Sequence, residues 1–61
     1  MSAAIREQGR LADLVLHLKG LVLVRALLES RGASHEEVAA HDDEIARVRA
    51  ELAQVARKAA A

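Results

Sequence analysis

Sixty-one residues, nine basic and nine acidic, allow one small domain with no net charge. Hydrophobic residues make up 52% of the chain, yet Phe, Tyr, Trp, Cys and Pro are all absent. That composition excludes disulfide frameworks, thiolate metal sites and redox motifs. It also excludes aromatic platforms for stacking bases, bulk attraction to nucleic acid or anionic lipid, and a disordered tail.

The stretch from Met1 to Glu7 has no apolar core of the signal-peptide kind before its charges begin. Residues 11–28 hold eleven Leu or Val residues, but also Asp13, Lys19 and Arg25. On the insertion scale those apolar residues supply roughly 3–7 kcal/mol and the three charges cost roughly 7–10 kcal/mol, so insertion loses. A soluble, cytoplasmic chain is expected. Seven Arg to two Lys, with abundant Ala, speaks of a GC-rich genome and not of a function.

The first predicted element is a helix over about residues 3–30, free of proline and rich in Leu and Ala. Its punctuation is Ser30-Arg31-Gly32-Ala33-Ser34. Gly32 is placed to adopt the left-handed conformation that ends a helix. Ser34 opens the next one, with Glu37 three residues on as in a capping box. The second predicted helix covers about residues 35–59, after a turn at 31–34. An all-α, two-helix antiparallel hairpin follows, as a single domain over residues 1–61. A rival reading makes Leu14–Leu18 and Leu21–Val24 two short strands around Lys19-Gly20. Lys-Gly is a poor hairpin turn, and Leu outnumbers the β-branched residues there.

The second helix has the cleaner pattern. Val38, His41, Ile45, Val48, Leu52, Val55 and Ala59 recur at spacings of three and four, a heptad seam. Ala40, Asp43, Arg47, Ala50, Gln54 and Arg57 form the solvated face behind it. Folding the hairpin at the turn sets Leu28, Arg25, Leu21, Leu18, Leu14 and Leu11 against that seam. A second apolar stripe then remains on the first helix: Leu16, Leu23 and Leu27, flanked by Val15 and Val22. Only Arg6, Arg10, Asp13, His17 and Arg31 make a clearly polar strip.

A helix that is apolar nearly all round needs burial on two sides, and one hairpin offers a single seam. The expected solution is self-association, two chains pairing their first helices to make a four-helix bundle. Burying five Leu/Val side chains per subunit contributes about 7–15 kcal/mol gross, before association entropy is subtracted. Gly20 lies mid-stripe, where its helix penalty of about 1 kcal/mol is explained by a close crossing of two backbones. The self-association residues are therefore Leu16, Gly20, Val22, Leu23 and Leu27. Acidic residues gather near the turn (Glu29, Glu36, Glu37, Asp42, Asp43, Glu44) and basic ones at the open end (Arg6, Arg10, Arg57, Lys58). An antiparallel homodimer places each acidic end beside a basic one, although the helix dipole alone also favours this layout.

Arg25 and His41 interrupt otherwise apolar seams, and the register puts them in one polar layer. Such layers fix register and partner choice. Arg25 has Glu29 four residues on and the acids at 42–44 within reach. His41, with Glu37 and Glu44 on the same face, is the one constellation with metal-ligand chemistry. Its order is His-x-x-Glu, the reverse of the di-iron bundles, and a second such element is missing. No metal site and no cofactor is expected, and a metal-binding helical bundle using His41 with Glu37 and Glu44 is kept as a second alternative. Ser2, Ser30 and Ser34 sit at the terminus or turn, and the glycines form no phosphate loop, so no catalysis is expected.

In length and hairpin architecture the chain resembles the plasmid-encoded RNA-binding hairpin dimers, without a shared motif. That resemblance implies an alternative, a nucleic-acid-binding regulator using Arg6, Arg10, Arg57 and Lys58. Four basic residues per subunit are a small footprint, so nucleic acid is the lesser expectation. The leading one is a small helical hairpin that acts by protein–protein interaction, regulatory, adaptor or structural, with itself and possible further proteins as partners.

Overall fold

The structure, a computed structural model, describes the backbone of residues 3–60 and the side chains of residue 6 and residues 9–60. Within that span the chain forms two helices, α1 over Ala3–Ser30 and α2 over His35–Ala60, packed against each other with no strand among the described residues. The segment read as a possible strand pair, Leu14–Val24, lies inside α1. With Leu dominant and no turn chemistry at Lys19-Gly20, nothing interrupts the helical ladder there.

The turn between them is built by the residues that announced it. Gly32 has a φ of 75° and is the one described residue in the left-handed region. Around it the last carbonyls of α1 are satisfied in the Schellman pattern: Ala33 N–H donates to Leu28 O at 2.9 Å and Gly32 N–H to Glu29 O at 3.1 Å. Ser34 then caps α2, its Oγ accepting from the Glu37 N–H at 3.1 Å. Among the described residues only this half of the capping box forms; no return bond from the Ser34 N–H to the Glu37 carboxylate accompanies it. Glu36 and Glu37 in the first turn of α2, and Arg57 and Lys58 in its last, complement the helix dipole.

The seam follows the heptad reading closely. Ile45, Val48 and Val55 are buried, and Val38, His41 and Leu52 half-buried. Facing them from α1, Leu11, Leu14, Leu18, Leu21, Arg25 and Leu28 are all half-buried. The seam residues of α2 are thus more fully covered than the leucines of α1 that face them. Ala59, read as the last seam residue, is exposed, so the buried seam ends at Val55. A methyl side chain at the open end is too short to reach the opposite helix. The result is a rod 46 Å long and about 14 Å across. No helix among the described residues is long and apolar enough to cross a membrane.

Candidate functional site: the uncovered face of α1

Every large hydrophobic side chain left exposed among the described residues belongs to α1: Val15, Leu16, Val22, Leu23, Val24 and Leu27. Leu16 and Leu23 are 68% and 62% exposed. At 100° per residue the line Leu16–Gly20–Leu23–Leu27 runs about 150° around the helix from the seam, almost on its opposite side. The face is therefore not an edge of the hairpin core but a second, separate apolar surface. Val24 is exposed too but stands apart from this line, inside the polar strip and one heptad from both His17 and Arg31.

Gly20 sits in the middle of this face. A Cβ added there would meet nothing within 4 Å, and its φ is not in the left-handed region. Packing within the hairpin does not require a glycine at this point.

At the turn end, Arg25 is the hub of an ionic clamp. Its guanidinium pairs with Glu29 one turn along α1 and with Asp42 on α2, the latter also through Nη2–Oδ2 at 3.3 Å. The hydrogen bond from Arg25 holds the Asp42 carboxyl below its ordinary value, with a smaller contribution from His41. Reciprocally, Asp42 raises the Arg25 guanidinium. Arg25 and His41 both lie half-buried in the seam, but the partner that Arg25 takes across it is Asp42, which the sequence reading offered only as one acid of a run.

An open cleft of about 410 Å³ lies over this clamp, lined by Arg25, Glu29, Ala33, His35, Val38, Ala39 and Asp42. Its one guanidinium is already committed to two carboxylates, so it presents no spare positive charge to an anionic ligand.

A second network ties the middle of the rod. Arg47 grips Glu44 with two bonds, Nε–Oε2 at 3.1 Å and Nη2–Oε1 at 2.5 Å, and reaches Glu51 at 3.4 Å. Glu51 in turn pairs with Arg10 of α1. Arg47 holds the Glu44 carboxyl below its ordinary value, and His17 and His41 both lie near enough to add to that effect. Sequence spacing did not disclose the Arg10–Glu51 bridge, because an Arg side chain can slant along the rod to an acid more than a turn from its level.

These pairings bear on the other candidates. Both oxygens of Glu44 are taken by Arg47, and among the described residues no group of three or more His, Asp or Glu side chains is placed to hold a metal. At the open end Arg6 is exposed while Arg10 is engaged by Glu51. Arg57 and Lys58 are exposed in the last turn of α2. Ser2 and the side chain of Glu7 lie outside the described residues. No family model, curated protein or solved structure matches this chain.

Proposed function

We propose that the protein is a non-catalytic interaction module of the cytoplasm, a helical hairpin that homodimerises through the outer face of α1 and works by protein–protein contact. The observation that carries this reading is that, among the described residues, all six exposed large hydrophobics fall on α1. Soluble monomers rarely leave so continuous an apolar face in water.

The opposed placement of the two apolar faces on α1 shapes the product. The two α1 helices pair in the middle of a four-helix assembly, and each α2 lies outside, needing only the one narrow seam it has. Charge favours antiparallel pairing, which sets the acidic turn end of one chain beside the basic open end of the other.

Molar mass by light scattering across a concentration series, with circular dichroism on the same samples, tests the reading. A helical species of twice the chain mass that dissociates only on dilution is the expected result. A folded monomer at all concentrations would sink it.

A further inference from the structure

The self-association proposed above has an orientation and a register, and Gly20 selects them. We infer that the two α1 helices run antiparallel with each Leu23 seated in the notch at the partner's Gly20, and each Leu16 beside the partner's Leu27.

The argument begins with a glycine that the hairpin does not need. Gly20 lies in the interior of a 28-residue helix, where alanine is the better residue. Its backbone is not left-handed, and a Cβ would project into open space. Gly9 shares these traits, and nothing within the single chain accounts for the missing side chain of Gly20. It also falls on the contact line itself: Leu16, Gly20, Leu23 and Leu27 follow each other at steps of four, three and four, alternating heptad positions.

Antiparallel helices set one heptad position opposite the other, so only shifts of whole heptads keep the faces together. In the register proposed, Leu16 meets the partner's Leu27 and Leu23 meets the partner's Gly20, so the large side chain fills the space that the absent one leaves. Sliding one heptad one way sets Asp13 against the partner's Leu23 and buries a charge among leucines. Sliding the other way sets Gly20 against the partner's Ser30 and Leu16 against the partner's Ser34, in the turn. Parallel pairing puts both glycines in one layer, where two missing side chains leave a void between leucine layers. It would also stack acidic turn ends together. One arrangement alone satisfies packing and charge.

The chain has no cysteine, so introduced thiols report without background. Leu16→Cys and Leu27→Cys chains are mixed and oxidised, and each is also oxidised alone. The expected result is a mixed disulfide from the pair and none from either alone, because like positions then lie about 16 Å apart along the axis, beyond disulfide reach. Homodisulfides from each chain alone would show parallel pairing and overturn the proposal.

Gly20→Ala is the second arm. It should raise the melting temperature of the dissociated chain while weakening the dimer about tenfold or more, since the notch is filled. A dimer as tight as the parent, or tighter, would overturn the notch. The two readings fail separately. A wild-type chain that stays monomeric removes the self-association itself. A wild-type dimer with the wrong cross-links, or one indifferent to Gly20→Ala, removes only this register.

Discussion

The two helices of this hairpin are nearly equal in length and solve opposite problems. Among the described residues all three buried hydrophobic side chains, Ile45, Val48 and Val55, belong to α2, and all six exposed large ones belong to α1. α2 is a conventional amphipathic helix: one narrow seam in, charged residues out. α1 carries a seam of leucines that is only half covered, and an equally apolar face behind it. The difference teaches that the hairpin's own packing accounts for the whole pattern of α2 and for only half that of α1. A surplus confined to one helix is what a second contact surface leaves in a sequence.

The sharpest way to break that comparison is to charge one helix and then the other. Leu16→Glu with Leu23→Glu should weaken association by about 6–12 kcal/mol per dimer, the burial of two leucines from each chain, while the hairpin stays helical. Ala50→Glu on the solvated face of α2 should leave the molar mass unchanged. Equal loss of association from both would show that the asymmetry of exposure has no bearing on assembly.

Truncation inside the seam comes next. Val48, only 1% exposed, is the one fully buried side chain among those described. Val48→Ala should destabilise the fold by about 2 kcal/mol in a denaturant titration. Leu11→Ala, at a half-buried seam position, should have a smaller effect. A reversed order would mean that the fuller burial of the α2 seam residues is not what holds the hairpin.

Two of the three glycines, all of which meet no neighbour, sharpen it further. Gly32→Ala should destabilise by about 1–2 kcal/mol, because a φ of 75° penalises any Cβ even in open space. Gly20→Ala in the dissociated chain should have the opposite sign. If both stabilise, the turn is not held in the left-handed conformation.

The smallest effect is with pH. Asp42 and Glu44 are held below their ordinary values of 3.8 and 4.5 by bonds from Arg25 and Arg47. Their contribution is complete above about pH 5. It is lost as acidification carries both through their lower folded-state values, so the urea midpoint should fall from pH 5 towards pH 2. Asp42→Asn should flatten that slope, and an unaltered slope would show that the clamp does not couple folding to pH.

The turn was legible because its chemistry is local: Gly32 must be left-handed, and Ser34 must face the first orphan N–H groups of α2. The seam was legible because heptad spacing assigns residues to a face wherever the neighbour lies. The surplus face of α1 was legible from Leu16, Leu23 and Leu27, and the exposed Val24 stands apart from it in the polar strip. The ion pairs were less so. Arg25 had four acids within plausible reach, and its choice of Asp42 with Glu29 depends on a crossing geometry that spacing does not specify. The Arg10–Glu51 bridge is hidden from the sequence for the same reason.

The sequence by itself therefore determined the elements, their joint and the two faces of α1, since each follows from periodicity and local backbone chemistry. Only the tertiary structure decided which apolar residues the hairpin covers, that Gly20 faces open space, and which carboxylate each arginine takes. Those outcomes depend on the axial offset of two rods and the reach of individual side chains. Neither is a property of one helix alone.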